Sequence, residues 1–455
     1  MMRVIIKLWG TAMLMIIVLS CSKDDNTVLA PDPVEQAPDP VEETPTVQVS
    51  SISPTKGTRN TLVTINGNNF GNDPSKIEVY FNDNEGAVQS VNNTQITALV
   101  PQVPIHGVDA ANVAIVIEEL LYEGPKFTYI PVGQVSTFAG SKIGDADGTL
   151  EQAKFHNPIG VTMDNQGNIY VADTYNHKIR RIDPNGDIIT LVGSEPGDVD
   201  GIVSQAKFNA PKGIAIDADG NIYIADHKNH KIKKITNVGF VTTLAGSTEG
   251  YQDGKGSDAE FAFPQDIALD TQGNVYVTDG YNNKIRKITP DGTVTTLAGG
   301  DLGSADGLAL SAQFFNPHGI ALDANQNIYV ADQGNHKIRK ITPDGMVSTL
   351  AGSVEGYEDG VSGKAKFQDP SGIATDVLGN VYVSDELNFK VRKISPSGIV
   401  STLAGSDKGF SDGEGAEAQF DSPNGIVVAP QSVPSLGTIF VIDSGNHRIR
   451  KITQK

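Results

Sequence analysis

A unit of 53 residues is repeated six times along the C-terminal two-thirds of this 455-residue chain. Each unit contains a proline, at Pro158, Pro211, Pro264, Pro317, Pro370 and Pro423. Each also contains an Asp-Gly pair, at Asp147, Asp200, Asp253, Asp306, Asp359 and Asp412. A period of this length indicates supersecondary units that bury their apolar faces by stacking on one another. The repeat therefore predicts an array of six like units.

Each unit carries four short segments with the pattern of β-strands. In the second unit they read GIAID, NIYIAD, KIKKI and VTTLAG, with turn sequences between them. Short strands in succession form a meander, and six meanders bury both faces when they stack around an axis. The sequence therefore predicts an all-β chain with a six-bladed β-propeller. Mid-strand aromatic residues are expected between blades: Tyr170, Tyr223, Tyr276, Tyr329, Tyr382 and Phe440.

The end of the last unit indicates how the ring closes. The strand-end aspartates are Asp173, Asp226, Asp279, Asp332, Asp385 and Asp443, and the longer last interval places an insertion near residues 430–437. The last unit ends in RIRKITQK without a VTTLAG segment, whereas a matching QVSTFAG stands at Gln134–Gly140. We expect these N- and C-terminal strands to pair in one blade, because pairing removes two open sheet edges.

A recurrent string identifies the type of repeat. DxxNHKIRKI is complete at Asp332–Ile341 and nearly complete in three other units, while Asn283 and Phe389 replace its histidine in the third and fifth units. The string resembles the NHL repeat, and the resemblance covers residues 134–455. It implies a six-bladed NHL propeller, to which we assign residues 132–455.

Residues 47–131 have a different pattern. Apolar and polar residues alternate in LVTINGNNFG, KIEVYFND, TQITALVP, NVAIVI and PKFTYI, which predicts strands. The segment resembles the IPT/TIG immunoglobulin-like domain through SISPTKG, TINGNNFG, the pair Val100–Pro101 and FTYIP. The resemblance implies an N-terminal β-sandwich that acts as a spacer or a protein-contact module, and the segment shows no catalytic constellation.

Residues 1–20 have the pattern of a secretory signal. Arg3 and Lys7 precede an apolar run that is too short for a comfortable membrane span and ends in VLSC. VLSC resembles a lipobox, which implies that Cys21 is lipidated; the following SKDD resembles the export signal of Bacteroidetes surface lipoproteins. The alternative is a chance cysteine in a plain signal peptide. Residues 21–46 contain PDPVE twice and predict an extended acidic linker.

These features predict a location at the outer membrane and cell surface, with the membrane contacted through the lipid alone. The formal net charge is -19, which disfavours nucleic acid as a partner. Cys21 is the single cysteine, so no intrachain disulfide forms. We expect no cofactor.

The polar residues that recur in most units are interpreted as structural. The strand-end aspartates and the histidines His177, His230, His336 and His447 belong to this group. A catalytic group is needed once, whereas these residues recur around the ring. Asp and Asn favour the hydrogen bonds and backbone conformations of tight turns. We therefore expect these residues to stabilise turns.

Ligand recognition is expected where the repeat symmetry breaks. The residues after the repeat prolines form a ring at the channel mouth: Ile159, Lys212, Gln265, His318, Ser371 and Asn424. Asp266 replaces a glycine that the other five units have. Two loop positions on the same face add Tyr175, Tyr251, Tyr281, Tyr357 and Phe410. Exposed rings stack on sugars or peptides; the alternative is that they pack on their own loops.

Three classes of function remain open. The resemblance to NHL propellers and to TIG–NHL lipoproteins implies a non-catalytic surface protein that binds a glycan or protein ligand in nutrient capture. A metal-dependent hydrolase or lyase is the second class, but it needs about three converging ligands. The ring offers His318 and Asp266 and no full metal-ligand set, which favours a protein that is not an enzyme. A purely structural or assembly role is the third class.

Overall fold

The computed structural model describes residues 46–101, 110–130, 132–430 and 437–454. The predicted signal, Cys21 and nearly all of the linker lie outside the described residues, as does most of the insertion near residues 430–437. In the described ranges the regular elements are β-strands and short 3-10 helices. None of the helices there is both long enough and apolar enough to cross a membrane. The all-β prediction is confirmed.

Eight strands form the first domain, a β-sandwich. Their ranges are Gln48–Ser53, Lys56–Gly57, Leu62–Asn68, Ile77–Phe81, Asn84–Asn92, Gln95–Leu99, Ala110–Ile117 and Leu120–Tyr129, with a 3-10 helix at Pro74–Lys76. Asn84–Asn92 pairs with Ile77–Phe81 through its first residues and with Gln95–Leu99 through its later ones, so it links the two layers. Alternate side chains such as Val79 and Phe81 are fully buried between the layers. The sequence pattern misses three of these strands. Gln48–Ser53 and Asn84–Asn92 consist mostly of polar residues, and Lys56–Gly57 has only two residues.

Six antiparallel sheets follow, and each is one blade. Their innermost strands are Val161–Met163, Pro211–Ile216, Pro264–Leu269, Pro317–Leu322, Pro370–Thr375 and Pro423–Val428. The second strands are Ile169–Asp173, Ile222–Asp226, Val275–Asp279, Ile328–Asp332, Val381–Asp385 and Thr438–Asp443. The third strands are Lys178–Ile182, Lys231–Ile235, Lys284–Ile288, Lys337–Ile341, Lys390–Ile394 and Arg448–Gln454. The fourth strands are Ile188–Gly193, Phe240–Ala245, Thr293–Ala298, Met346–Ala351, Ile399–Ala404 and, for blade 6, Gly133–Ala139. Innermost strands of neighbouring blades contact one another around a closed ring, which confirms the six-bladed propeller.

Shorter elements complete the blades. Blades 2 to 6 have an additional outer strand of two residues, at Gly201–Ile202, Gly254–Lys255, Gly307–Leu308, Gly360–Val361 and Gly413–Glu414. A 3-10 helix follows each second strand, at Thr174–Asn176, His227–Asn229, Gly280–Asn282, Gln333–Asn335, Glu386–Asn388 and Ser444–Asn446. Others lie at Gly256–Asp258, Ala309–Ser311 and Gly415–Glu417. The four-strand unit predicted from the sequence therefore omits a short fifth strand.

The ring closes through the two ends of the propeller sequence. Gly133–Ala139 pairs antiparallel with Arg448–Gln454, in a register that runs from Gly133 opposite Gln454 to Ala139 opposite Ile449. Val135 of the closing strand is fully buried in the core between blades 5 and 6. The expected pairing of N- and C-terminal strands is confirmed.

The two ends of each blade differ, and the end with the strand-end aspartates and their 3-10 helices is called the loop face here. In blade 6, Asp443 pairs with Arg448 at the loop face. Gly133 pairs with the far end of the same strand, so the first domain joins the propeller at the end remote from the loop face. Nε of Arg59 in the first domain donates to Oε1 of Glu414 at 2.9 Å.

The mid-strand aromatic residues lie between blades, as predicted. Tyr170 packs with Ile214 and Ile222 of the next blade, and its hydroxyl donates to Asp164 at 3.2 Å. Phe440 of blade 6 shares a core with residues of blade 1 in the same way. Each interblade space is therefore a separate apolar core that neither blade can form alone.

A buried ion-pair network explains the repeated aspartates. Asp173 accepts bonds from the N–H of His156 at 2.8 Å and from Nη1 of Arg180 at 2.9 Å, and both ionic side chains are fully buried. Nη2 of Arg180 also lies 2.6 Å from Asp147 of the Asp-Gly pair. The same pairing recurs at Arg286, Arg339, Arg392 and Arg450. The role is structural, as expected: Nδ2 of Asn176 in the following turn donates to Asp173 at 2.8 Å, and the buried charge pairs add to such turn bonds.

The histidine of the NHL string joins neighbouring blades. His177 has a φ of 56°, and its Nδ1 accepts a bond from the N–H of Ala210 in the next blade at 3.0 Å. Asn283 accepts from Asn316 with Oδ1 at 2.8 Å in the same arrangement. Phe389 has the same backbone conformation, with a φ of 56°, but its side chain offers no acceptor.

Candidate functional site

Five of the six residues after the repeat prolines lie on the innermost strands around the axis, whereas Ile159 precedes the first of these strands, which begins at Val161. Most of the ring residues are enclosed. Ser371 is completely buried, and its hydroxyl donates to the carbonyl oxygen of Pro423 at 3.0 Å. Gln265, His318 and Asn424 are 4%, 8% and 7% exposed. Lys212 keeps partial exposure. The structure thus brings the predicted ring together, yet leaves little of it accessible to a ligand.

Close backbone contacts make the central channel narrow. A Cβ on Gly160 would lie 2.0 Å from the carbonyl oxygen of Lys212, and Gly319 meets Ser371 similarly. Asp266 takes this position in blade 3 and lines a cavity of about 30 Å³, about the volume of one water molecule. Burial raises the pKa of Asp266 to about 7, although two backbone N–H groups oppose the shift. The channel is therefore too small for a ligand beyond water or an ion.

Lys212 is the accessible cation of this ring. Its Nζ donates to Oε1 of Gln265 at 2.7 Å. Burial lowers the pKa of Lys212 to about 8, while Glu386 acts in the opposite direction. Burial also lowers the pKa of His227 and of His318 to about 3, so both imidazoles are neutral at pH 7. The mouth holds one basic group among neutral donors and acceptors.

A second ring, which the sequence interpretation misses, surrounds the mouth. It contains the residues that directly follow the strand-end aspartates: Thr174, His227, Gly280, Gln333, Glu386 and Ser444. Thr174, His227 and Ser444 donate to a proline carbonyl of the next blade. Within the described ranges Gln333 and Glu386 make no such bond; instead Nε2 of Gln333 donates to Glu386 at 3.4 Å. The sequence does carry a signal for this ring. All six units have an aspartate at the end of the second strand, and the residue that follows it differs from unit to unit. That residue comes directly before the position occupied by Tyr175 and Tyr281.

Glu386 carries the acidic charge of the second ring. Burial raises the pKa of Glu386 to about 7, and Asp369 adds to the increase while Lys212 opposes it. Glu386 and Lys212 belong to blades 5 and 2, which are opposite one another in a ring of six. The mouth therefore has an acidic side and a basic side.

A cleft of about 400 Å³ opens on the loop face between blades 3 and 4 and reaches the edge of blade 5. Tyr281 and Phe315 line it and are 63% and 43% exposed. Leu302, on the same cleft, is 59% exposed. Exposed aromatic and aliphatic groups in a concavity provide apolar contact area for a ligand.

Amide groups form the inner side of this cleft. Nδ2 of Asn316 donates to Oε1 of Gln333 at 2.8 Å. Oδ1 of Asn316 is buried and has no hydrogen-bond partner among the described residues. Gly280 allows the side chains of Gln265 and Asn316 to pack closely against the backbone, because a Cβ there would lie 2.7 Å from Cγ of Gln265. Gln333 lines the cleft and bonds Glu386, so this side chain lies between the cleft and the channel mouth.

The two predicted tyrosines after the strand-end aspartates differ in their surroundings. The ring of Tyr281 lies 4.6 Å from Phe263, which in turn lies 4.5 Å from His230. Tyr175 occupies the same position in blade 1, where its ring lies 5.2 Å from His156. Tyr281 lines the cleft, whereas Tyr175, two blades away, does not.

The other three predicted aromatic residues pack on their own blades. The ring of Tyr251 lies 4.7 Å from Nζ of Lys284 and 5.1 Å from Cζ of Arg286, and its hydroxyl lies 3.0 Å from Oγ1 of Thr296. Tyr357 and Phe410 have equivalent cationic neighbours: Lys390, Arg392, Arg448 and Arg450. These three residues therefore follow the alternative interpretation, in which the loop aromatic residues pack on their own loops.

The metal candidates of the sequence, His318 and Asp266, line the same small cavity. Among the residues that the structure describes, no group of three or more His, Cys, Asp or Glu side chains is placed to share a metal ion. His318 and Asp266 belong to neighbouring blades, and Asp266 is held by backbone N–H groups. Cys21, the predicted lipidation site, lies outside the described residues.

Comparison with protein families agrees with this architecture. The family model described as IPT/TIG domain matches residues 47–129. The NHL repeat model matches residues 155–182, 261–288 and 314–341, and the Teneurin NHL domain model matches residues 194–253.

Curated relatives share the propeller. NHL repeat-containing protein 2 of Homo sapiens is 29% identical over 338 residues, which cover 64% of this chain and 46% of that protein. Protein SUPPRESSOR OF QUENCHING 1, chloroplastic, of Arabidopsis thaliana is 30% identical over 334 residues, covering 68% of this chain and 31% of that protein. The chain thus spans less than half of the length of these relatives.

Solved structures extend the similarity over both domains. An auxiliary nutrient binding protein from Bacteroides ovatus has a TM-score of 0.56 at 19% identity, covering 90% of this chain and 98% of that one. An auxiliary nutrient binding protein from Bacteroides thetaiotaomicron has a TM-score of 0.55 at 20% identity, covering 90% and 97%. At this identity the likeness concerns the fold. The chain is therefore an IPT/TIG domain followed by a six-bladed β-propeller of NHL repeats.

Proposed function

We propose that this chain is a non-catalytic, lipid-anchored binding protein of the outer membrane and cell surface. Its ligand, a glycan or a protein segment, binds on the loop face in the cleft between blades 3 and 4. The observation that carries the proposal is the cleft itself, which has an aromatic wall, an amide wall and a buried acceptor without a partner. A concave site with a few convergent polar groups is the usual form of a binding site.

The chemistry of the cleft suits neutral polar groups next to apolar ones. Tyr281 and Phe315 present ring faces on which a sugar or a side chain can stack. Oδ1 of Asn316 becomes available as an acceptor when its side chain turns toward the ligand, and the amide of Gln333 both donates and accepts. Hydroxyl groups of a glycan and amide groups of a peptide both match these atoms.

Further observations support the surface assignment and the role in nutrient capture. Two proteins of the same fold bear the name auxiliary nutrient binding protein. The VLSC sequence that ends at Cys21 supports lipid anchoring. The net charge of -19 disfavours nucleic acid as the ligand.

The test compares two tyrosines that occupy the same position of the repeat. The mature protein and its Tyr281→Ala and Tyr175→Ala variants are titrated against an array of oligosaccharides and peptides. We expect Tyr281→Ala to weaken binding of the captured ligand by about tenfold or more, as for an exposed aromatic anchor. Tyr175→Ala removes a ring of the same kind and should change affinity by less than about twofold.

Two results would contradict the proposal. If Tyr281→Ala and Tyr175→Ala change the affinity equally, the ligand binds elsewhere. If no member of the array binds, the chain does not have the proposed binding role. If the wild-type protein chemically converts a member of the array, the protein is instead an enzyme, a hydrolase or lyase with its site at the channel mouth.

A further inference from the structure

Two oppositely charged side chains stand on opposite sides of the channel mouth without touching. Nζ of Lys212 bonds Oε1 of Gln265 at 2.7 Å, and the carboxylate of Glu386 has a 3.4 Å bond from Gln333. Among the described residues no N–O contact of 4.0 Å or less joins Lys212 and Glu386, although each influences the other electrostatically. The gap between them is open to the loop face, because both residues keep partial exposure.

The surroundings leave both charges poorly compensated. An ionised group that is removed from water is costly unless an opposite charge and hydrogen bonds replace the water. Glu386 raises the pKa of Lys212 and Lys228 lowers it, while the imidazoles of His227 and His318, whose pKa values burial lowers to about 3, carry no charge at pH 7. Asp369 raises the pKa of Glu386 and Lys212 lowers it. Lys212 and Glu386 are therefore opposite charges that act on each other across a gap, without a direct ion pair in the described part of the chain to compensate either one.

We propose that the channel mouth binds the zwitterionic part of an amino acid or short peptide, with its carboxylate on Lys212 and its ammonium group on Glu386. The inference rests on the proposed function, because the remainder of the same ligand extends along Gln333 into the cleft lined by Tyr281. A neutral sugar would bring hydroxyl groups only and would leave both charges without a counter-ion. A peptide with free termini supplies both counter-ions and also the amide groups that suit Asn316.

Binding of such a group should be coupled to proton exchange in a direction that depends on pH. The pKa of Lys212 is lowered by burial to about 8, and that of Glu386 is raised to about 7. An arriving carboxylate raises the pKa of Lys212, so near about pH 8 the complex takes up protons. An arriving ammonium group lowers the pKa of Glu386, so near about pH 6.5 the complex releases protons.

The experiment uses the mature protein and dipeptides with free termini, paired with the same dipeptides blocked by acetyl and amide groups. Calorimetry in buffers of different ionisation enthalpy gives affinity and the number of protons exchanged. We expect a free dipeptide to bind about ten- to a hundredfold more tightly than its blocked form. Near about pH 8 the amino group of the dipeptide also takes up protons when it binds as ammonium, so Lys212→Met should reduce proton uptake to the part that the ligand itself contributes. Glu386→Gln should abolish proton release near about pH 6.5.

Lys228→Met is the matched control, because it removes an exposed charge close to Lys212 and should leave affinity within about twofold. Unchanged melting temperatures establish that the variants are folded. Equal affinity for free and blocked dipeptides overturns the inference. If only neutral oligosaccharides bind, and Tyr281→Ala weakens their binding, the inference about the zwitterionic ligand fails while the proposed function stands. If neither class binds, both fail.

Discussion

Lys233 forms ion pairs with Asp198 and Asp200 at 2.6 and 2.7 Å and leaves Asp226, the strand-end aspartate of the same blade, to neutral donors. In blade 3 the equivalent Arg286 bonds the strand-end aspartate and the Asp-Gly aspartate, both at 2.7 Å. The guanidinium group reaches two carboxylates because its planar fork presents donors in two directions. Blade 2 therefore lacks one charge pair that the other five blades contain.

We predict that Lys233→Arg makes stability less dependent on pH. Burial raises the pKa of Asp226 to about 7, above its value in the unfolded chain. The native state thus binds more protons than the unfolded state between about pH 4 and pH 7, and the free energy of unfolding falls as pH rises through this window. An arginine lowers the pKa of folded Asp226, so the fall should be smaller.

Urea denaturation at about pH 5 and about pH 7 measures this difference between wild type and Lys233→Arg. At the higher pH the variant should be more stable by about 1–2 kcal/mol, the contribution of one hydrogen bond to a charged group. Arg286→Lys is the matched control and should produce the opposite change. Parallel pH profiles for wild type and Lys233→Arg would show that Asp226 is not the group responsible.

A second prediction concerns the junction between blades 5 and 6. Phe389 adopts the left-handed conformation in which His177 accepts a bond from the next blade. Phe389→Asn supplies an acceptor and a residue that tolerates this conformation, so it should stabilise the protein by about 0.5–1.5 kcal/mol. Thermal denaturation checks the change. His230→Phe, which deletes the bond to Phe263, should lower stability by a similar amount, and a neutral result for both would contradict the assigned role.

The closing strand gives a third prediction. A fragment that begins at residue 132 keeps Gly133–Ala139, whereas one that begins at residue 141 loses it and exposes the strand Arg448–Gln454. Loss of the buried side chain of Val135 alone removes about 1.5–3 kcal/mol, and unpaired edges favour association. The shorter fragment should melt at a lower temperature and aggregate. Identical melting curves would mean that the strand does not hold the ring closed.

The fourth prediction concerns the anchor. If Cys21 is lipidated, Cys21→Ser should abolish labelling by a fatty-acid probe and release the protein from the membrane fraction. Cleavage before Cys21 also removes Trp9, the single tryptophan, so the mature protein should show no tryptophan emission. Labelling and membrane association that persist in Cys21→Ser would contradict the assignment.

The architecture is predictable from the sequence because the same residue types recur in all six units, where they occupy equivalent environments. Tyr170 and its equivalents recur in the middle of one strand, and each packs in an interblade core. The insertion and the missing last strand are visible as departures from the same period. What the period does not reveal is how polar groups pair across blades, as Nδ1 of His177 does with the N–H of Ala210.

The site is less predictable because it depends on the direction of single side chains. Ser371 and Lys212 occupy the same repeat position, but the short hydroxyl bonds a neighbouring carbonyl while the long lysine reaches the mouth. The ring of Tyr251 packs against cations of its own blade, whereas Tyr281 lines a cleft. Which side chains are accessible depends on their neighbours in three dimensions, and the sequence pattern does not indicate those neighbours.

The register of the closing strand determines how the molecule carries mechanical load. A pull on the chain at Gly133, with a ligand held on the loop face, acts along the strand Gly133–Ala139. The hydrogen bonds of an antiparallel pair are perpendicular to the strands, so such a pull shears all of them together instead of peeling them one at a time. If the chain is anchored and holds its ligand as proposed, tension between the anchor and the ligand loads the pairing that closes the ring in its stronger direction.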